Sequence, residues 1–179
     1  MYVRKSVANN LNDIAKDHPD LVVQIAKRWQ GKSERTDWII RHACRTLVRK
    51  CHPEAMALFD YLPSSQTATI ITRARLQVTP LTLSLGQSSE LVYEIELQNE
   101  EPVHLRIEYG IDFVKAGGKT SRKLFLLSDK TLAPYTVIKS KRTHHWRDLT
   151  TRRHYGGEHR IVLIVNGYEA ASETILLDV

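Results

Sequence analysis

The 179-residue chain carries 26 Lys and Arg against 20 Asp and Glu, a formal net charge of +6, and 42% of its residues are hydrophobic. This composition is that of a globular protein and excludes a disordered chain, and no apolar stretch approaches the roughly 20 residues that a membrane span requires. We therefore expect a cytoplasmic protein, nucleoid-associated if bacterial, whose excess positive charge favours a polyanionic partner.

Residues 1–62 show the spacing of apolar residues that is typical of amphipathic helices. In the first helix the apolar stripe is predicted at Val3, Val7, Leu11 and Ile14, at intervals of three and four. Three further helices are expected between Gly and Pro turns: one at 21–29, a third capped by Thr36 that reaches Leu47, and a short fourth that ends at Leu58.

Two segments of this helical region repeat. Residues 3–6 resemble residues 40–43 at an offset of 37, and residues 18–20 resemble residues 52–54 at an offset of 34. A period of this length in paired helices is typical of α-solenoids such as HEAT or armadillo repeats. Because stacked repeats usually need about three units, two copies predict either a piece of a longer solenoid or one that the following domain caps.

The second half of the chain changes period. Residues 63–68 are predicted to be a linker, and beyond them apolar residues alternate with polar ones, as in strands. Eight strands are expected, at 75–78, 81–85, 91–97, 103–115, 121–127, 136–143, 160–166 and 170–178. This count is typical of an immunoglobulin-like domain of about 110 residues. The predicted fold class is an α plus all-β two-part chain: a short HEAT-like α-solenoid fragment at 1–62, followed by an immunoglobulin-like β-sandwich at 69–179.

Charge is unevenly distributed along this second half. Between Lys115 and Arg160 there are 12 Lys and Arg against 3 acidic residues, whereas between Glu90 and Asp112 there are 7 acidic residues and one Arg. The separation predicts a basic face opposite an acidic one, although an ordinary solvated surface also accounts for it.

Neither a disulfide nor a metal site is expected. Cys44 and Cys51 are seven residues apart in one predicted helix, about 10 Å along its axis, which is too far for a disulfide. The adjacent residues His144 and His145 lie on opposite faces of a predicted strand, and no cysteine is close to them.

One side of the third predicted helix is basic. Five side chains lie there, opposite the apolar stripe of the same helix: Trp38, Arg41, His42, Arg45 and Arg49. Arginine neutralises phosphates and donates paired hydrogen bonds, and a tryptophan can stack on a base or a sugar. The alternative interpretation is a solvated outer face on which Trp38 packs against a neighbouring helix.

The first helix has a polar side that carries a carboxylate, formed by Lys5, Asn9, Asn12, Asp13 and Lys16. A carboxylate facing DNA would be unfavourable unless it served a purpose. One purpose is to stabilise the positive sugar that develops when a glycosidic bond breaks, and another is to orient a water. The alternative is a surface aspartate paired with Lys16 or Lys5.

The sandwich contains one basic loop. Residues 150–157 read Thr-Thr-Arg-Arg-His-Tyr-Gly-Gly. Hydroxyl and guanidinium groups contact phosphates, and glycines permit a close approach of the backbone.

Several of these segments resemble a known family. Residues 2–19 (Tyr-Val-Arg-Lys-Ser-Val-Ala-Asn-Asn-Leu-Asn-Asp-Ile-Ala-Lys-Asp-His-Pro) and 37–47 resemble the HEAT-like DNA alkylation-repair glycosylases. The second half resembles the immunoglobulin-like C-terminal domain carried by one branch of that family, at 109–119, 123–125, 150–153 and 159–167.

The resemblance implies the DNA-binding C-terminal part of a monofunctional DNA glycosylase, which excises cationic N3-methylated bases without deep base flipping. It implies double-stranded DNA, bound mainly by its phosphate backbone, as the partner, with no cofactor and no metal. The acidic residue that supports the positive sugar is then Asp13. The polar helix faces and the resemblance together predict the residues that contact DNA. These are Arg4, Lys5, Asn9, Asn12, Trp38, Arg41, His42, Arg45, Arg49, Thr150, Thr151, Arg152 and Arg153.

The chain departs from the family in one respect. The family's helical domain has several repeats before this point, which hold further catalytic residues, and this sequence contains none of them. We therefore expect the isolated chain to lack a complete active site for N-glycosidic bond hydrolysis. The alternative function is a non-catalytic nucleic-acid or protein interaction module on the same scaffold.

Overall fold

The computed structural model describes residues 2–150 and 153–179, and the chain divides into two compact units, Met1–Pro63 and Ser64–Val179. The described residues form six helices: α1 (Tyr2–Ile14), α2 (Pro19–Trp29), α3 (Glu34–Ala43), α4 (Arg45–Arg49), α5 (Pro53–Leu58) and α6 (Ser64–Ile70). They also form eight strands: β1 (Ile71–Thr79), β2 (Thr82–Ser84), β3 (Ser88–Leu97), β4 (Val103–Val114), β5 (Thr120–Leu132), β6 (Val137–His145), β7 (Gly157–Val165) and β8 (Tyr168–Asp178).

The starts of the helices follow from local chemistry. Pro19 and Pro53 occupy the first turns of α2 and α5, where the missing N–H of proline costs no helical hydrogen bond. The cap of α3 is Ser33, whose hydroxyl accepts a hydrogen bond from the Thr36 N–H at 3.2 Å. The prediction of Thr36 as the cap was therefore wrong by one turn, because the chain enters the helix earlier than its apolar residues indicate.

The buried face of α1 includes Leu11 of the predicted stripe, with Val7 and Ile14 partly buried against the core, but not Val3. Ala8, Leu11 and Asn12 are buried in α1, whereas Val3 is 71% exposed. α1 packs against α3 and α2, and the small side chain of Ala8 permits a close approach of the helices. The placement of Asn12 on the polar face was wrong: its side chain is only 5% exposed.

The third predicted helix is two helices. α3 ends at Ala43 and α4 begins at Arg45, because Cys44 between them departs from helical dihedral angles, with φ −83° and ψ 2°. Cys44 is fully buried, and burial raises the pKa of its thiol to about 11. Cys44 and Cys51 form no disulfide in the described structure.

A helix replaces the linker that was expected at 63–68. α6 packs against β8 and β1 within the second unit and buries Thr67 completely. The short polar residues of α6 show no helical spacing of apolar residues. The tertiary contacts of its one buried side chain, Thr67, therefore determine its conformation. The boundary between the units accordingly precedes α6, and β1 begins at Ile71.

The second unit is a two-sheet β domain that contains all eight predicted strands, with bounds shifted by a few residues. One sheet has the order β1-β3-β6 and the other β2-β8-β7-β4-β5. All neighbouring strands are antiparallel except β2 and β8. The two-part fold class predicted from the sequence is confirmed.

The core of this unit lies between the two sheets. Along β4 every second residue from Leu105 to Phe113 is buried, and Ile95 of β3 and Leu163 of β7 belong to the same cluster. The intervening residues lie on the other face of the sheet, where Glu108 and Gly110 are also buried.

One end of the sandwich is closed by aromatic and histidine rings. Trp146 is fully buried, its indole N–H donates to Ser89 Oγ at 2.8 Å, and its ring lies 5.1 Å from that of His159. His159 Nδ1 accepts from the Val114 N–H at 3.4 Å, and Nε2 donates to the Tyr155 carbonyl at 3.1 Å. These two bonds require the neutral imidazole with its proton on Nε2, and burial lowers the pKa of His159.

Truncating a core side chain should destabilise the second unit far more than truncating an exposed one. Leu163→Ala removes a side chain with 0% exposure, and we expect a loss of about 2–5 kcal/mol because a cavity remains. Leu126→Ala, at 49% exposure on β5, is the control. The free energy of opening is measured from amide hydrogen exchange of β4 and β7. Equal effects of the two variants would contradict this placement of the core.

Acid should weaken the second unit through His159. Because its folded pKa lies below the ordinary 6.5, the unfolded chain takes up the proton first. Stability is therefore full above pH 6.5 and decreases as the pH falls towards the folded pKa. Urea unfolding of the wild type and His159→Asn between about pH 7.5 and 5 should show a shallower pH dependence in the variant. His145→Asn, which alters an exposed ring bonded to Ser88, is the control variant.

Candidate nucleic-acid interface

The first unit presents a row of stacked cationic and aromatic groups. The Arg4 guanidinium lies 5.8 Å from the centre of the Trp38 ring, and Trp38 stacks on His42 with a centroid distance of 4.9 Å and an interplanar angle of 12°. Trp38 and His42 are four residues apart on α3, so they lie on one face of that helix, and Arg4 reaches it from α1. We call these residues, with Lys5, Asn9 and Arg45, the α1–α3 surface.

Arg45 is held in place although it is exposed. Its guanidinium donates to Asn9 Oδ1 at 3.1 Å and to the His42 carbonyl at 2.6 Å. These two hydrogen bonds restrict the rotamers of Arg45, so less conformational entropy is lost when the guanidinium binds a phosphate. The pairing of Asn9 with Arg45 joins α1 to the start of α4, and no periodic pattern in the sequence indicates it.

The electrostatic field at this surface is positive. The pKa of His42 is lowered, first by its partial burial and then by the positive charges of Arg45 and Lys5. Neutral at physiological pH, the His42 ring offers a flat polar face beside three cations.

Asp13 lies at the C-terminal end of α1, near this surface. Its carboxylate accepts a hydrogen bond from Lys16 at 2.8 Å, and the side chain is 67% exposed. The hydrogen bond and charge of Lys16 lower the pKa of Asp13, and the charge of Arg45 adds to that effect. Asp13 is therefore ionised at neutral pH and accessible to a ligand, while it also makes the pair with Lys16 that was the alternative interpretation.

Asn12, which was predicted as a DNA contact, lies apart from the α1–α3 surface. It faces the core, where its Oδ1 has no hydrogen-bond partner among the described residues. Arg41 and Arg49 are exposed, and the Arg41 guanidinium lies 4.9 Å from the centre of the Phe59 ring.

The second unit anchors its predicted basic loop from within. Asp148 Oδ1 accepts from the His154 N–H at 2.8 Å and lies 3.2 Å from His154 Nδ1. The His154 ring is buried, 5.5 Å from Phe113 and 5.8 Å from Trp146. The loop is thus closed at its base, and Asp148 and His154 were missed because a bond across six residues leaves no pattern in the sequence.

Two of the four loop residues that were predicted to contact DNA are described. Thr150 and Arg153 are exposed. Thr151 and Arg152, which were predicted with them, lie outside the described residues.

The acidic and basic stretches of the second unit are neighbours and do not form opposite faces. Lys139 and Lys141 of β6 pair with Glu94 and Glu90 of β3, each at 3.0 Å. Arg122 of β5 likewise donates to Asp112 of β4 at 2.7 Å. The prediction of a basic face opposite an acidic face was wrong, because the strand register places the two stretches side by side.

Within residues 2–150 and 153–179, no three His, Cys, Asp or Glu side chains are grouped so that they could hold a metal ion. None of the described helices combines the length and the apolarity that crossing a membrane requires.

Comparisons with known proteins agree with this two-part architecture. The uncharacterized protein YhaZ of Bacillus subtilis is 42% identical over 167 residues, which are 93% of this chain and 45% of YhaZ. The structure of Pseudomonas fluorescens alkylpurine DNA glycosylase AlkC bound to DNA containing an abasic site analog matches with a TM-score of 0.87 and 35% identity. That match covers 100% of this chain and 49% of AlkC, so the chain spans about half the length of these relatives.

The resemblance found in the sequence is confirmed by the likeness to AlkC. The family model described as the C-terminal Ig-like domain of the uncharacterised protein YhaZ matches residues 72–179, which span β1 to β8 except for the first residue of β1. The chain therefore belongs to the YhaZ family, whose C-terminal domain is immunoglobulin-like.

Proposed function

We propose that this chain acts in DNA alkylation repair, as the DNA-binding C-terminal part of a monofunctional glycosylase. The observation that carries the proposal is the α1–α3 surface, where Arg4, Trp38, His42 and Arg45 are held ready by stacking and hydrogen bonds. The likeness to AlkC, a glycosylase solved with DNA, supports the same function.

Binding to the phosphate backbone follows from the chemistry of this surface. Arg4, Lys5 and Arg45 supply cations, and guanidinium groups donate two parallel hydrogen bonds to a phosphate. The Trp38 ring offers a flat face for a sugar or a base. The exposed Thr150 and Arg153 add a second set of backbone contacts from the other unit. Such contacts position DNA with little preference for sequence.

We assign base excision to the negative charge of the Asp13 carboxylate. A cationic N3-methylated base already weakens its bond to the sugar, so the enzyme mainly has to stabilise the positive sugar as the bond breaks. Asp13 is ionised, exposed and adjacent to the cations that would hold the backbone. Its carboxylate can support that charge or orient the attacking water, and the base can remain outside a deep pocket.

A non-catalytic interaction module on the same scaffold is the second candidate. One observation favours it: the carboxylate of Asp13 already has a partner in Lys16. In that case the α1–α3 surface binds nucleic acid, and Asp13 contributes nothing to bond cleavage.

DNA binding should weaken as salt rises, because cations that contact phosphates release counterions. Removing one phosphate contact with Arg45→Gln should lower the slope of log affinity against log salt by about 0.9. Arg28→Gln, the same change at an exposed position of α2, should leave the slope unchanged. Fluorescence anisotropy with a labelled duplex measures both. An affinity that stays constant from low to high salt would exclude backbone binding.

Catalysis by Asp13 is tested in a chimera in which this chain replaces the matching half of Pseudomonas fluorescens AlkC. Asp13→Asn should keep the fold and the DNA affinity and reduce release of N3-methyladenine about a hundredfold, since a well-placed charge is worth roughly 3 kcal/mol to a transition state. Asp17→Asn, at an exposed position just beyond α1, is the matched control. Excision by the Asp13→Asn chimera at the unmutated rate would favour the non-catalytic module.

A further inference from the structure

His42 is surrounded by positive charge on the α1–α3 surface. Arg45 of α4 donates to the His42 carbonyl at 2.6 Å, and the charge of Lys5 of α1 also reaches the ring. The imidazole stacks on Trp38 of its own helix, and the Arg4 guanidinium lies 5.8 Å from the centre of that indole. A titratable ring thus lies among cations that three different helices supply.

The acidic groups of the neighbouring helices have partners elsewhere. The Asp13 carboxylate of α1 is paired with Lys16 at 2.8 Å, and Asp20 of α2 lies 3.7 Å from His52. Asp37 of α3 accepts a backbone N–H at 2.7 Å. No described carboxylate lies within 4.0 Å of the ring nitrogens of the histidine on the α1–α3 surface, and neither nitrogen has a described hydrogen-bond partner. Both nitrogens can therefore serve a ligand.

A bound phosphate would reverse the electrostatics of this ring. Without DNA, partial burial and the charges of Arg45 and Lys5 lower the pKa of His42. A phosphate held by those two residues brings negative charge to the groups that disfavour the imidazolium. The protonated ring can donate to a phosphate oxygen from either nitrogen, and the face of Trp38 stabilises a cation stacked on it. The proton is therefore disfavoured in the free protein and favoured in the complex.

We propose that His42 takes up one proton from the solvent when the α1–α3 surface binds a DNA phosphate, so that binding strengthens as the pH falls. This inference rests on the proposed DNA binding and adds its regulation by pH. One linked proton raises the affinity by at most about tenfold for each pH unit. The rise begins as the pH falls through the pKa of His42 in the complex, and it ends below the pKa in the free protein, which lies under 6.5.

The test measures the affinity of the full chain for a labelled duplex by fluorescence anisotropy, at constant ionic strength, between about pH 8 and pH 6. The wild type should bind more tightly at the lower pH. His42→Gln has no charge to gain and should bind weakly at both. His42→Arg keeps a planar, permanently charged group beside Trp38 and should bind tightly at both. His18→Gln, at an exposed position outside the surface, should show the rise of the wild type.

An NMR titration of the His42 ring with and without the duplex gives a readout that needs no variant. DNA should raise the pKa of His42, and an unchanged pKa would overturn the inference. An increase in affinity that persists in His42→Gln would overturn it as well. Because acid acts on His159 in every variant, comparing the variants at one pH isolates the effect of His42.

The outcomes separate the proton linkage from the function on which it rests. If the wild type binds the duplex in a salt-dependent manner but equally at both pH values, the linkage is overturned and DNA binding by the α1–α3 surface stands. If the wild type shows no binding at either pH at low salt, both are overturned.

Discussion

The strand register of the second unit determines both its core and its surface charge. With β4 paired in register to β5 and β7, alternate side chains from Leu105 to Phe113 enter the space between the sheets. The intervening residues then meet specific neighbours, as Asp112 meets Arg122. A shift by one residue would bury the charges and expose the core. The burial of apolar residues therefore also selects which cations are neutralised.

This selection has a consequence for function. On the sheet faces, carboxylates within the domain compensate the charges of Arg122, Lys139 and Lys141. Other strand cations, such as Lys123 and Lys130 of β5, have no ion pair with a described carboxylate, and their charge adds to the basic character that a polyanion would meet.

In the first unit, the packing of helices determines the positions of the basic side chains. α1 and α3 approach closely over Ala8, and that approach brings Arg4 onto Trp38 and Asn9 onto Arg45. Asn12 remains in the core with an unsatisfied oxygen, an arrangement that costs free energy. Asp13 lies at the C-terminal end of α1, where the hydrogen bond and the charge of Lys16 lower the pKa of its carboxylate.

The sequence by itself determined the two-part fold and most of the candidate residues. After residue 62 the spacing of apolar residues changes from 3.6 to 2 residues. These spacings follow from the geometry of helices and strands, so they are visible in the local sequence pattern. The eight strands and the group of Trp38, His42 and Arg45 could be predicted for that reason. Only the tertiary structure decided the exact face of α1, the break at Cys44, the helix at Ser64–Ile70 and the anchoring of the loop by Asp148. Each of these features depends either on a contact between residues that are distant in sequence or on a single hydrogen bond. Neither kind of interaction produces a repeating pattern in the sequence.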